Sequence, residues 1–251
     1  MTGKPVAIVT GAAQGLGHET ALRLAADGFA VAVNDVTDDG RLTELAGRIG
    51  GLVVPGDIAA PGAGTAITAT VMAALGRIDV LVGNAAAMEM APFLSQDPAA
   101  WWRQIDVNLS GHFRLIQAVV PVMRAAGSGR IVLIASEWGV SGHANATAYA
   151  ASKAGLIALT KGLGRELGPQ GILANAIAPS YIDTEQLRVD ADDAGITLDE
   201  MRQLYRGLVP IGRLADVADI AAAVSFLAGP GGSAVVGQVL QPNGGVVRTR
   251  A

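Results

Sequence analysis

The chain carries Tyr149-Ala-Ala-Ser-Lys153, with Ser136 thirteen residues before the tyrosine. On a helix, positions i and i+4 share one face, so a phenol and an ammonium at this spacing can point into one cleft. A free tyrosine titrates near pH ~10 and is a poor base at neutral pH. A cation beside it favours the phenolate, and each tenfold change in that balance is worth about 1.4 kcal/mol. A serine hydroxyl near the pair can hold a carbonyl or alcohol oxygen. The three groups suit proton transfer at that oxygen while a hydride moves at the carbon that bears it. A tyrosine and a lysine at this spacing also arise on ordinary solvated helix faces, so the reading depends on the elements that position them.

Those elements follow from the hydrophobic pattern. The 251 residues, 51% hydrophobic and 16% charged, suit one α/β domain over 1–251. Seven apolar runs read as strands: Val6–Val9, Ala30–Asn34, Leu52–Val54, Val80–Gly83, Ile131–Ala135, Ile172–Ile177 and Gln238–Leu240. Most are continuous rather than alternating, the pattern of parallel strands covered on both faces. Helix-length segments separate them. Leu16, Thr20 and Leu24 mark the first helix, which Gly28 ends, and Val217, Ile220, Val224 and Leu227 form a late apolar stripe. Asp97 caps a helix with Pro98 in its first turn, and the pattern predicts one helix through Asn108 to about Arg124. This alternation predicts a Rossmann fold: a doubly wound, seven-stranded parallel sheet with helices on both faces. The irregular stretch Asp183–Pro210 reads as an acidic turn, Asp190–Gly195, followed by a short helix, Leu198–Leu208. Its length is that of a substrate lid, which would bring Leu187, Leu204 or Tyr205 toward the substrate.

Other classes are disfavoured. A net charge of −4 argues against a nucleic-acid partner. No apolar run reaches the ~18–20 residues of a membrane span. The three histidines are scattered and cysteine is absent, so no metal site is expected. The lack of cysteine and of a signal-like N-terminus fits a cytoplasmic protein.

Thr10-Gly-Ala-Ala-Gln-Gly-Leu-Gly17 follows the first strand and opens the first helix. Its glycines permit a tight turn, and the free N–H groups at the helix start favour a pyrophosphate. Gly11, Gln14, Gly15, Leu16 and Gly17 are therefore cofactor-binding candidates. The second strand ends in Asp35, eighteen residues past Gly17, where a carboxylate can accept from ribose hydroxyls and repel a 2′-phosphate. Val36 and the following Thr37, Asp38 and Asp39 offer no cation for such a phosphate, and Gln14 is uncharged. NAD is favoured over NADP.

With these residues placed, the chain resembles the short-chain dehydrogenase/reductase family over nearly its whole length. Gly56-Asp57-Ile58 resembles the family's adenine-contacting turn, and Gly83-Asn84-Ala85-Ala86 its Asn-Asn-Ala-Gly stretch. Asp106-Val-Asn-Leu109 matches the segment whose asparagine completes the catalytic set, here Asn108. Asn175–Thr184 resembles the stretch around the nicotinamide, which implies that Pro179, Ile182 and Thr184 contact the cofactor. Gly83, Ala86 and Ser180 depart from the family pattern at an Asn and two Gly positions. By this resemblance Tyr149 is the general acid/base. Lys153 lowers its pKa and holds the nicotinamide ribose, Ser136 orients the substrate oxygen, and Asn108 positions a water at a break in its helix. The resemblance also implies a homotetramer packed through the helices bearing Asn108 and Tyr149.

The pocket is less determined. Trp138 and Tyr181 are substrate-wall candidates, with Met88 and Leu187 as further apolar walls. Glu137 could bind a polar substrate group, although a surface or interface pair is favoured for it. His143 and Asn145 are favoured as loop or solvent residues, and His18 and His112 as packing residues. The expected activity is NAD-dependent interconversion of a small or medium secondary alcohol and its ketone. The rivals are a 3-oxoacyl carrier-protein reductase and a nucleotide-binding regulator without turnover.

Overall fold

Valine, isoleucine, leucine and alanine fill the strands so completely that both faces of the sheet are apolar, and each face needs its own cover. In the computed structural model, which describes residues 3–184 and 186–247, that cover is two layers of helix. The ends of the expected domain, 1–2 and 248–251, and Glu185 of the expected lid lie outside the described residues. The strands are β1 (Val6–Thr10), β2 (Ala30–Asn34), β3 (Leu52–Val53), β4 (Val80–Gly83), β5 (Gly129–Ile134), β6 (Ile172–Ile177) and β7 (Val239–Leu240). All pair in parallel, in the order β3-β2-β1-β4-β5-β6-β7. The direction of winding reverses between β1 and β4, which opens a crevice beyond their carboxyl ends.

The two-residue period of β1 assigns its side chains. Val6 and Ile8 enter one core, with Leu115, Val119 and Leu156, whereas Ala7 and Val9 enter the other, with Leu24, Leu45 and Val224. The first core lies under α3 (Ala63–Leu75), α5 (His112–Ala126) and α7 (Thr147–Leu167), the last preceded by the one-turn α6 (Trp138–Ser141). The second lies under α1 (Gly15–Ala26), α2 (Arg41–Ile49) and α10 (Val217–Ala228).

Three differences from the sequence reading stand out, while β1, β3 and β7 differ from it by one residue at one end. β5 begins two residues early and stops at Ile134, although Ala135 N–H still donates to Ile177 O at 2.7 Å. The helix after Asp97 is not continuous as the apolar pattern predicts; it breaks at Asn108, where the family resemblance implies a break. Asp97 does cap α4 (Pro98–Ile105), accepting from the N–H groups of Ala99 and Ala100, but a π-helical turn, Asp106–Gly111, separates α4 from α5. The stretch read as an acidic turn is a helix, α8 (Gln186–Ala194), and Gly195 follows it at φ +66°. Its charges hid an i, i+4 pair, Leu187 and Ala191, which packs with Met201 of α9 (Leu198–Leu208), Val209 and Leu214 in a third, separate apolar cluster. The α9 bounds agree with the sequence reading. Among the described residues no helix is long and apolar enough to cross a membrane, and no cluster of three or more His, Cys, Asp or Glu side chains is arranged to hold a metal ion.

Candidate active site

Two cavities lie beyond the strand ends, one over the switch point and one beside Ser136 and Tyr149. The first, of about 340 Å³, is lined by Gly11, Gln14, Gly15 and Leu16 from the glycine loop, and by Asp35 and Val36 after β2. Asp57 and Ile58 after β3, Asn84, Ala85 and Ala86 after β4, and Thr184 also line it. Gly11 and Gly15 adopt φ +66° and +55°, which L side chains rarely reach. An ideal Cβ on Gly15 would stand in open space, whereas one on Gly17 would lie 2.0 Å from Gly11 O. Gly17 therefore does not line the cavity; it lets the loop fold back onto the helix. No side chain caps the start of α1 and no acidic residue sits in its first turn. The helix N-terminus is thus left with donors and a positive dipole end facing a cleft, which fits the pyrophosphate of a dinucleotide.

Asp35 is fixed by two backbone donors, Ala13 N–H at 3.0 Å and Val36 N–H at 2.8 Å. A cation that the sequence reading overlooked stands near it. Arg41, at the start of α2, hydrogen-bonds Gln14 Oε1 and pairs with Asp39 at 2.8 Å, and its charge also acts on Asp35. Arg41 lies six residues past Asp35 in sequence, and the turn into α2 carries it back over the glycine loop. Asp57 pairs with Arg103 at 2.8 Å, which holds its carboxyl below the usual range against the opposing effect of burial.

The four expected catalytic residues come from three elements. Asn108 lies in the π-helical turn, Ser136 just after β5, and Tyr149 and Lys153 on α7. Asn108 is wholly buried and does not bond Lys153. Its amide clasps Ala87 by both backbone groups, accepting from N–H at 2.7 Å and donating to C=O at 2.9 Å. It also donates to Ser152 Oγ at 3.1 Å. Lys153 is buried, lies with Nζ 5.3 Å from the Tyr149 ring centroid, and donates to Ile134 O at 2.7 Å.

The pKa expectation needs correction. Burial pushes the Tyr149 phenol up to about 12, although part of its ring faces the cavity, and the Ser136 hydroxyl offsets only some of the rise. Burial likewise drives Lys153 down to about 7. Desolvation dominates both groups, so the phenol lies above its ordinary value despite the nearby Lys153.

The second cavity, of about 290 Å³, holds Ser136, Trp138 and Tyr149 on one side and Tyr181, Ile182 and Tyr205 on another. Met88 and Leu187 add apolar wall. The two cavities share Ala86 and Thr184, so a molecule in one abuts a molecule in the other. Pro179 lines neither; its carbonyl accepts from Glu137 N–H at 2.9 Å. Leu204 is 55% exposed and turns away, whereas Tyr205 stacks on Tyr181 with ring centroids 4.3 Å apart. His143 stacks on Trp138 at 3.9 Å from outside the cavity, and Asn145 turns the chain at φ +63°. Glu137 is not a surface residue: it is 3% exposed and forms part of the cavity wall. His112 is buried, with Nε2 2.9 Å from Ala85 O, and burial brings its pKa down to about 4. A Cβ at Gly83 would stand 2.9 Å from His112 Nδ1, which accounts for glycine there.

A Rossmann sheet with a dinucleotide-shaped cleft that meets a pocket of serine and tyrosine hydroxyls defines a nicotinamide-type oxidoreductase scaffold. Residues 11–247 match a family model described as enoyl-(acyl carrier protein) reductase. The chain is 40% identical to the short-chain dehydrogenase/reductase eriH of Hericium erinaceus, over 98% of both chains. It is 39% identical to cis-4-hydroxycyclohexanecarboxylate dehydrogenase of Sinomonas cyclohexanicum, over 96% of this chain and 95% of that one. It is 35% identical to the 3-oxoacyl-[acyl-carrier-protein] reductase FabG of Escherichia coli, over 96% of both. The chain belongs to the short-chain dehydrogenase/reductase family, whose members are oxidoreductases that use nicotinamide cofactors.

Proposed function

We propose that the protein is an NAD-dependent dehydrogenase that interconverts a secondary alcohol of about the size of a six-carbon ring with its ketone. The carrying observation is the seam at Ala86 and Thr184. It joins a cleft bearing the glycine loop and Asp35 to a cavity bearing Ser136 and Tyr149. The loop donors would hold the pyrophosphate and Asp35 the adenosine ribose, while Ile182 and Thr184 would adjoin the nicotinamide end. A bound nicotinamide would supply the acceptor for the hydride that leaves the carbinol carbon. Ser136 holds the alcohol oxygen, and Tyr149 takes its proton during oxidation and returns it during reduction. Lys153 favours the phenolate electrostatically once it is charged. Asn108 keeps the Ala87 loop and α7 in register, so that the oxygen, the phenol and the cofactor site stay aligned. Turnover of cyclohexanol with NAD and of cyclohexanone with NADH, followed at 340 nm, tests this reading; inertness toward both would sink it.

The carrier-protein reductase reading has support in the FabG likeness. The cavity favours the small alcohol, because its lining contains, among the described residues, no lysine or arginine for an anionic thioester arm.

NAD preference rests on Asp35, and Arg41 sets its margin. The expected kcat/KM with NAD exceeds that with NADP by about tenfold or more, ~1.4 kcal/mol. Asp35→Ser should reverse the preference without an added base, because Arg41 already stands beside Gln14. A wild type that used NADP equally well would refute the assignment to Asp35.

The 183–210 segment is read as the cover of the pocket. The ion pair between Asp183, its first residue, and Arg202, 3.0 Å apart and partly exposed, lies within the segment and is of a kind worth little in water. Hydrogen exchange over 186–208 should slow when NAD and cyclohexanol bind together. Equal protection with and without them would make it a fixed wall.

A further inference from the structure

We propose that Glu137 selects the substrate: its carboxyl receives a second hydrogen-bond donor, a hydroxyl or an ammonium, on the molecule whose carbinol lies at Ser136 and Tyr149. The proposal rests on the alcohol-oxidation reading and names the substrate class within it.

Glu137 follows Ser136 directly, and its backbone is pinned. Its N–H donates to Pro179 O at 2.9 Å, and its carbonyl accepts from the N–H groups of Val140 at 2.8 Å and Ser141 at 2.9 Å. The side chain is therefore carried at a fixed distance from the reacting oxygen. It is buried in the wall of the substrate cavity, and Oε2 has no hydrogen-bond partner among the described residues. Ser180 stands against it from β6's extension. Burial raises the carboxyl's pKa and Ser180 acts against that rise, yet Ser180 Oγ forms no well-shaped hydrogen bond. Two polar groups thus sit unsatisfied on one side of the cavity, a condition that costs stability and that a protein keeps where something arrives to satisfy it. Oε2 is itself shielded, but the last torsion of a glutamate is broad, so the carboxyl can turn an oxygen to the cavity without leaving its rotamer well.

The remaining lining says which arrival fits. Asp190 is the other acid, and Tyr205 Oη donates to it at 3.4 Å. Among the described residues no lysine, arginine or histidine lines the cavity, whereas four aromatic rings do, those of Trp138, Tyr149, Tyr181 and Tyr205. Aromatic faces and carboxyls together suit the apolar ring and donor groups of a polyol or an amino alcohol. They oppose a substrate carboxylate or phosphate, which would meet like charge and no cation.

The test is a matched set on one ring: cyclohexanol, 1,2- and 1,4-cyclohexanediol, 2-aminocyclohexanol and cis-4-hydroxycyclohexanecarboxylate, each with saturating NAD. We expect the better diol or the amino alcohol to exceed cyclohexanol in kcat/KM by about tenfold or more, and the carboxylate to fall below it. Glu137→Met removes both oxygens at similar length and should collapse that ratio to near unity. Glu137→Gln separates the two donors: an oxygen without charge retains the preference for a diol and loses that for an ammonium. Because Oε2 is unsatisfied, Glu137→Met should also melt no lower than the wild type. Ser180→Ala, a smaller change beside the carboxyl, should weaken the same ratio. A wild type that prefers cyclohexanol or the carboxylate overturns the proposal, and so does a ratio that survives Glu137→Met. A sharp loss of thermal stability in that variant gives the carboxyl a structural role instead. If no compound on the ring is turned over, the alcohol-oxidation reading fails by itself. Calorimetric titration of the diol and the amino alcohol into the NAD complex then decides the role of Glu137: binding lost in Glu137→Met upholds it, and no binding to the wild type overturns it.

Discussion

Tyr149→Phe should lower turnover by about 10²–10⁴-fold, the range that a positioned acid–base group contributes. The change keeps the ring that packs edge-on against Trp138, with centroids 5.9 Å apart, and removes only the hydroxyl. The cofactor should still bind, because the glycine loop and Asp35 lie in the other cavity. A pH profile makes the assignment sharper. The phenol is pushed up to about 12, so its deprotonated fraction grows with pH throughout the working range below that value. Alcohol oxidation should therefore speed up as pH rises, and ketone reduction, which needs the protonated form, should not. In the phenylalanine variant the residual oxidation should lose this slope. Near-normal turnover in Tyr149→Phe, or an unchanged slope, would require a different base.

Lys153→Met should have two opposite effects: loss of turnover on the order of 10²-fold, and gain of thermal stability at neutral and acidic pH. Lys153 is 1% exposed, and burial lowers it from 10.5 to about 7. The sign follows from proton counting. Between about pH 7 and 10.5 the unfolded chain holds a proton on this lysine that the folded chain has released, so wild-type stability climbs with pH across that window. Below about pH 7 the folded protein carries the buried ammonium and its full desolvation cost, offset in part by the bond to Ile134 O. Methionine fills similar space with no charge to desolvate. The melting temperature of the variant should exceed that of the wild type most at pH 6, and the gap should narrow toward pH 10. A variant that melts lower at pH 6 would mean that the Ile134 bond outweighs the burial cost.

The strands and the cleft at the glycine loop were legible because they rest on local signals. Continuous apolar runs give buried parallel strands, and a Gly-rich turn between strand and helix gives an anion site. Asp35, Val36, Asn84, Ala85 and Ala86 of the nucleotide cleft directly follow strand ends. What escaped depends on contacts between segments far apart in sequence. Arg41 matters only because the turn into α2 folds over Gln14. The break at Asp106–Gly111, by contrast, was implied by the family resemblance at Asn108 and not by the apolar pattern, since the segment has no proline and no glycine until its last residue. Helix α8 was hidden because four of its nine residues are charged, and its two buried positions gain meaning only from α9 beneath them. Glu137 looked like a surface residue by type, since carboxylates rarely go inside unpaired. The electrostatics of Tyr149 and Lys153 could not be read from spacing, because desolvation is set by every neighbour and not by the partner alone.

The third apolar cluster has a consequence for how this scaffold diversifies. Leu187, Ala191, Met201, Val209 and Leu214 form a small core that shares no member with the two that hold the sheet. Leu187 belongs to it and also lines the substrate cavity, as do its packing partners Tyr181 and Tyr205. Changes that reshape the cavity from this side are thus absorbed by a local unit of two helices, and the central sheet need not repack. The segment behaves as a cassette: mutation can explore new substrates in it while the machinery of the strand ends is left undisturbed.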